Sequence, residues 1–195
     1  MTALLVPILA YLVGSIPVGF LIAGCYGIED IRLHGSGNIG ATNVARVLGA
    51  PFFLLIFFLD AFKAFSFLYI ATHYGIEYNI VIMSAFALLI GNGCSVFLQF
   101  YGGKSIATSF GIILFLNPFL IKFVMPVWFI MFLITQTVGI ASVVGLFSLP
   151  FIGWYCSVSR ELFLLLWFIA VWGVWLHRTN IINYIAKMME KRSEV

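Results

Sequence analysis

Gly35-Ser36-Gly37-Asn38-Ile39-Gly40-Ala41-Thr42-Asn43, closed by Arg46, is a polar island in an apolar chain. On either side run Ala3 to Cys25 and Pro51 to Ala71, each long enough to cross the roughly 30 Å hydrocarbon core of a bilayer. Hydrophobic residues are 63% of the 195 and charged residues 9%, whereas soluble domains have about half and a quarter. Such a chain must place most of its surface against lipid, so its polar stretches mark where it meets water. The expected fold is therefore an all-α integral membrane protein, residues 1–195 forming a single polytopic domain.

The first apolar run has no basic residue before it and outlasts a cleaved leader, so it reads as a retained first helix. Glycine and proline within it, Gly14 and Pro17, are tolerated in a membrane because neighbours satisfy the backbone groups they release. Asn43 to Leu48 reads as a short interfacial helix holding Arg46. The second span carries Asp60 and Lys63, spaced i,i+3 on one face and able to pair; charge at that depth is kept for a function or for an internal ion pair. A third span runs from Ile80 to Leu98, interrupted by Gly91-Asn92-Gly93. After the polar loop Gln99 to Ser105 come four more stretches: Ile106–Leu116, Phe119–Thr135, Val138–Tyr155 and Leu162–Leu176. The first of these is short for a span. His177 to Val195 reads as a basic surface helix or tail.

Charge orients the seven spans. One face collects Arg32, Arg46, Lys104, Arg178, Lys187, Lys191 and Arg192, the other His73, Lys122 and Arg160. Short loops rich in Lys and Arg stay in the cytoplasm, which puts the amino terminus outside and the carboxyl terminus inside. The basic residues are too scattered for a nucleic-acid footprint. Cys25, Cys94 and Cys156 have neither the count nor the spacing of a disulfide framework or thiolate metal site.

Three polar patches then share the cytoplasmic face: Ser36/Asn38/Thr42/Arg46, Gly102/Gly103/Lys104 and His177/Arg178/Asn180, with Ser142 near the inner end of the sixth span. Glycine exposes backbone N–H groups, and arginine and lysine add fixed positive charge; together these suit phosphate oxygens. Singly, each patch is also compatible with a tight turn or an interfacial anchor. Gly102-Gly103-Lys104-Ser105 lacks the upstream glycine and strand context of a nucleotide-binding P-loop. Carboxylates and histidines do not converge as metal ligands would, and no nucleophile elbow with an acid partner is visible. What the residues describe is a pocket for anionic oxygens, suited either to lipid headgroup metabolism or to transport of glycerol phosphate or phosphate.

Over nearly its whole length the chain resembles the bacterial membrane glycerol-3-phosphate acyltransferases that use acyl phosphate as donor. Gly35 to Gly49 resembles the family's first signature, Leu59-Asp60…Lys63 its acidic and basic pair, and Val96-Phe97-Leu98…Gly102-Gly103-Lys104…Ala107-Thr108 its second. Ala141-Ser142 and His177-Arg178…Asn180-Ile181 resemble two later patches. The chain departs from the pattern at Asn92 (usually histidine), Ser95 (proline), Ser105 (glycine or alanine), Leu176 (arginine) and Thr179 (glutamate). It has no His-x₄-Asp, the motif of acyl-CoA-dependent acyltransferases.

The resemblance implies seven spans in the bacterial cytoplasmic (inner) membrane, an active site facing the cytoplasm, and no cofactor or metal. It implies transfer of a fatty acyl group from acyl phosphate to the sn-1 hydroxyl of glycerol 3-phosphate, giving lysophosphatidic acid and phosphate, with the monomer as the working unit. Ser36, Arg46, Lys104, His177 and Asn180 are the catalytic candidates; Gly37, Asn38, Gly40, Thr42, Asn43, Gly102, Gly103, Ser142 and Arg178 are the substrate-binding candidates. Ser36, the backbone of Gly37 to Gly40, and Arg46 would cradle one phosphate. Lys104 would face a second phosphate or the developing oxyanion. His177 and Asn180 would position glycerol phosphate. Either His177 or a substrate phosphate accepts the proton, and the surrounding cations, which make a histidine a weaker base, favour the phosphate.

Overall fold

A computed structural model describes residues 2–193. The side chains of Lys191 and Arg192, counted above on the basic face, lie outside the described residues. Ten α-helices, and no strand among the described residues, follow one another along the chain. Two compact units divide it, Met1–Pro118 and Phe119–Val195.

The first unit contains α1 (Thr2–Ser15), α2 (Val18–Cys25), α3 (Ala41–Leu48), α4 (Pro51–His73), α5 (Tyr78–Gly93) and α6 (Ile106–Leu116). Helix α1 runs along α5, and α4 along α6. Small residues permit both approaches: a Cβ on Gly91 would strike the carbonyl of Tyr11, one on Gly14 the backbone of Leu88, and one on Gly111 the backbone of Ala61. Lipid gives helices no hydrophobic reason to associate, so close packing of this kind has to supply the attraction. Tyr11 and Ser95 add polar ties, the phenol donating to Cys94 O at 2.9 Å and the hydroxyl to Ser15 O at 2.6 Å.

The first apolar run, expected as one helix, is broken at Ile16-Pro17. Proline offers no N–H and leaves carbonyls of the preceding turn without an intrahelical donor. The Lys63 ammonium, from α4, takes over that role. It donates to Gly14 O at 3.1 Å and Ile16 O at 2.8 Å, and pairs with Asp60 at 2.6 Å. The i,i+3 pair in the second span is thus a structural clamp on the first.

The second unit contains α7 (Ile121–Thr135), α8 (Val138–Tyr155), α9 (Arg160–Leu176) and α10 (Arg178–Ser193). Helix α8 packs against both α7 and α9. The side chain of Leu146 sits where Gly173 lacks a Cβ. The chain turns by 57° between α9 and α10 at His177, so the tail is a continued helix on a new axis.

Among the described residues, five segments are long and apolar enough to cross a membrane: Ala3–Cys25, Pro51–His73, Tyr78–Leu98, Pro118–Thr135 and Val138–Tyr155. The bent pair α9–α10 makes a sixth if taken as one. Helix α6, with 11 residues, reaches about 16 Å, half of a hydrocarbon core. The surface agrees with lipid as solvent: α7 has no buried residue, and large apolar side chains such as Leu54, Phe58, Phe62, Phe129 and Ile134 stand exposed.

Candidate functional site

In the first unit the site is built on the amide of Asn43. The loop before α3 needs two left-handed turns, supplied by Gly35 (φ 60°) and Gly37 (φ 72°), and at Gly35 a Cβ would also strike the Asn43 amide oxygen. Asn43 is 2% exposed. Its Oδ1 accepts from the Ser36 N–H at 2.7 Å and from the Arg46 guanidinium at 3.1 Å. Its Nδ2 donates to His34 O at 2.9 Å and Asn38 O at 2.8 Å. One buried side chain therefore fixes both ends of the loop and the direction of the arginine.

The N–H groups of Ser36, Gly37 and Gly40 are engaged within the loop, with Asn43 Oδ1, His34 O and Asn38 Oδ1 respectively. Side chains carry what the loop presents: Ser36, Thr42 and Arg46 are exposed. Thr42 and Arg46, four apart on α3, lie on one face. Behind them Ile39 and Val44 are buried with Ala23, Ile31, Ile56 and Leu98, and the Ile39 carbonyl occupies the space where Gly19 of α2 has no Cβ. The loop rests on the half of the first span that lies beyond the proline break.

The second polar loop lies against the end of α5. A Cβ on Gly102 would strike the backbone of Asn92 and Gly93, and the Gly103 N–H donates to Asn92 O at 2.8 Å. The two glycines permit a backbone-to-backbone approach, and Lys104 follows at once. Burial pushes the Lys104 ammonium below the ordinary lysine value of 10.5, and the positive charge of Arg46 pushes it further. The two loops thus bring their cations within electrostatic reach of each other. A second link is Arg32, paired with Asp30 at 2.7 Å and lying over the rings of Phe20 (5.7 Å) and Tyr101 (5.8 Å). Its hydrogen bonds hold the Asp30 carboxyl below the usual carboxylate range.

In the second unit, His177 forms the bend and is 2% exposed. Its Nδ1 lies 2.8 Å from Gly173 O. A carbonyl only accepts, so Nδ1 carries the hydrogen and, in the neutral ring, the lone pair is on Nε2. Asn180, one turn on, covers Gly139 of α8: a Cβ there would come within 3.0 Å of the amide carbon. One turn along α8, the buried Ser142 hydroxyl accepts from the Trp128 indole N–H at 3.1 Å. Arg178 faces outward, its guanidinium 4.7 Å from the Trp175 ring centre and donating to Trp175 O at 3.0 Å.

In the first unit, then, two glycine-built loops place the cations Arg46 and Lys104 within electrostatic reach of each other. The family model for glycerol-3-phosphate acyltransferase matches residues 4–187. The chain belongs to the glycerol-3-phosphate acyltransferase family. The glycerol-3-phosphate acyltransferase of Fusobacterium nucleatum is 35% identical over 89% of this chain and 90% of its own. That of Desulforudis audaxviator is 39% identical over 89% and 87%. Among solved structures, PlsY (YgiH), an integral membrane glycerol 3-phosphate acyltransferase, matches in its glycerol 3-phosphate form with a TM-score of 0.89. That match has 34% identity and covers 96% of this chain and 94% of that one. Its lysophosphatidic acid form matches at 0.87 and 33% identity, over 96% and 93%. An acyltransferase of glycerol 3-phosphate serves lipid biosynthesis, which decides between headgroup metabolism and transport.

Ser95 and Ser105, two of the positions singled out in the sequence, have local partners. The Ser95 N–H donates to Tyr101 O at 3.2 Å, a bond proline cannot make. Ser105 has φ 57°, a conformation that favours glycine, and its hydroxyl donates to Leu89 O at 3.2 Å. Sequence reasoning missed Gly139 and Trp128, whose importance comes only from what packs on them. The one visible signal was Gly139 lying three residues before Ser142, on the same helical face. Asn43→Ala in this acyltransferase is expected to lower stability by about 1–3 kcal/mol, because the Ser36 N–H and the Arg46 guanidinium lose an acceptor and the Asn38 carbonyl loses its donor. Thermal unfolding in detergent would show it, and an unchanged transition would mean the loop is held by something else.

Proposed function

We propose that this acyltransferase takes its acyl group from acyl phosphate and delivers it to the sn-1 hydroxyl of glycerol 3-phosphate, forming lysophosphatidic acid and inorganic phosphate. The observation that carries this reading is the pair Arg46 and Lys104, like charges from two distant loops held near each other. Such a pair is costly in isolation and is relieved by a multiply charged anion. A reaction with one phosphate on the donor and another on the acceptor needs that compensation, because its two substrates repel each other. The names of the PlsY forms, glycerol 3-phosphate and lysophosphatidic acid, agree with the acceptor and product.

In this reading Ser36, Thr42 and Arg46 hold one phosphate, helped by the first-turn N–H groups of α3. Lys104 faces the leaving phosphate and the carbonyl oxygen as it gains charge. Asn38, Asn43 and the glycines at 37, 40, 102 and 103 shape the two loops. His177, Asn180 and Ser142 orient the acceptor, with Arg178 beside them. The hydroxyl oxygen attacks the carbonyl carbon, a new C–O bond forms, and the bond from carbonyl to phosphate oxygen breaks, its electron pair leaving with phosphate. The hydroxyl proton passes to a substrate phosphate. Acyl phosphate is a mixed anhydride with a good leaving group, so positioning and charge compensation suffice. The acyl chain lies among Phe and Leu side chains, worth about 0.8 kcal/mol per buried CH₂.

All seven apolar segments cross the bacterial cytoplasmic membrane, α6 among them, with the amino terminus outside. Arg32, Arg46, Lys104, Arg178 and Lys187 then face the cytoplasm, as short basic loops do. One copy of the chain is the working unit.

Purified protein given labelled glycerol 3-phosphate and either palmitoyl phosphate or palmitoyl-CoA tests the donor. Lysophosphatidic acid from the phosphate alone is the expected result. Product from the CoA ester alone would overturn the donor assignment.

A further inference from the structure

Helix α10 has three distinct sides. Asn180 and Tyr184 lie on the side turned toward the protein, Asn180 against Gly139 of α8. Asn183, Lys187 and Glu190 form a polar side. The remaining side is apolar and open: Ile182 is 63% exposed, Ile185 52% and Met189 67%. Their spacing of three and four residues makes one stripe along the helix. Three large apolar side chains facing water would be a continuous cost to a helix already docked on its opposite flank.

The stripe does not begin on α10. Counting back by four and three from Ile182 gives Arg178, Trp175 and Val171, then Trp167 and Leu164, and the four of these that lie on α9 and are apolar are all exposed. The surface that α9 turns to lipid therefore runs on, across the 57° bend, into the open side of α10. Its one charged member is Arg178, whose guanidinium lies on the Trp175 ring at the bend. Tryptophan and arginine are the side chains that settle at a membrane interface, ring and aliphatic stem in the apolar layer and charge among the headgroups.

We infer that α10 is an interfacial helix, lying in the headgroup–acyl boundary of the leaflet where α9 ends, with Ile182, Ile185 and Met189 sunk among the acyl chains. The inference rests on the reading above that α9 crosses the membrane. The bend turns the helix from the crossing direction toward the membrane plane. Arg178 meets a lipid phosphate at the boundary, and Lys187 and Glu190 remain on the water side. An amphipathic helix of this kind sits about 5–10 Å deep in the boundary. It gives the bend at His177 two fixed arms, one through the bilayer and one along it.

Site-directed spin labelling of the full-length chain tests this. In protein with Cys25, Cys94 and Cys156 replaced by alanine, single nitroxides are attached through Ile182→Cys, Ile185→Cys, Met189→Cys, Asn183→Cys, Lys187→Cys and Glu190→Cys. The protein is placed in vesicles of phosphatidylethanolamine and phosphatidylglycerol. The ratio of collisions with oxygen to collisions with a water-soluble nickel chelate is expected to be severalfold higher at 182, 185 and 189 than at 183, 187 and 190. Equal nickel access at all six positions would overturn the inference. So would spin–spin broadening at 182 or 185, which would assign the stripe to a second copy of the chain. Acyl transfer measured on the same vesicles keeps the two ideas apart: an α10 in water with full activity sinks only the interfacial helix, and a buried stripe without transfer sinks only the functional reading.

Discussion

Lys104→Met is expected to lower kcat/KM by about 10²–10³-fold, the usual cost of deleting one preorganised group that stabilises developing charge. Thermal unfolding should stay near that of the parent protein, or rise. The reason is electrostatic: burial and the Arg46 charge both work against the Lys104 ammonium, so the folded protein holds this proton less tightly than the ordinary lysine value of 10.5. Between the lowered value and 10.5 the unfolded chain binds more protons, so stability rises with pH across that window and the charged lysine costs stability below it. Activity follows the opposite sign. It needs the ammonium and falls as pH rises through the lowered value. The alkaline limb of kcat/KM should therefore lie below 10.5 and disappear in Lys104→Met. Near-parental turnover in the variant would remove Lys104 from the chemistry.

Lys63→Met is expected to act on the fold. The pair with Asp60 is largely buried, at 10% and 14% side-chain exposure. Removing one partner of such a pair leaves an uncompensated charge, at about 3–5 kcal/mol. Here the carbonyls of Gly14 and Ile16 lose a donor as well. Yield of folded protein and its melting temperature in detergent should drop sharply. Lys63→Met combined with Asp60→Asn should recover part of the loss, since no bare carboxylate remains. A single variant that folds normally and only loses acyl transfer would show that the lysine belongs to the chemistry and not to the clamp.

The apolar segments were legible because hydropathy and loop charge are read locally. Val138–Tyr155 is matched residue for residue by α8, and α4 extends Pro51–Ala71 by one further turn-half, to His73. That the loop at 35–46 is a glycine-dependent polar element presenting Ser36, Thr42 and Arg46 was legible from residue types alone. What stayed hidden depends on partners remote in sequence. Lys63 bonds to carbonyls 49 and 47 residues away. The break at Pro17 was obscured because membrane helices tolerate proline, and only the arrival of Lys63 distinguishes a kink from a stop. Asn43 reads as one more polar residue of the motif until its four hydrogen bonds are traced. The outward stripe of α10 is periodic in sequence, but which side faces the protein is decided by Asn180 on Gly139.

The clamp on the first span also bears on how the protein is made. Gly14 and Ile16 leave the ribosome 49 and 47 residues ahead of the side chain that completes them. At synthesis rates of about 5–20 residues per second, that is a delay of about 2–10 s. During it Gly14 O lacks its lysine donor and Ile16 O has only the Val18 N–H at 3.1 Å, while hydrocarbon offers neither a substitute. The break in the first span is thus completed by a helix made later, so the amino-terminal segment reaches its final hydrogen bonding only once α4 has been synthesised.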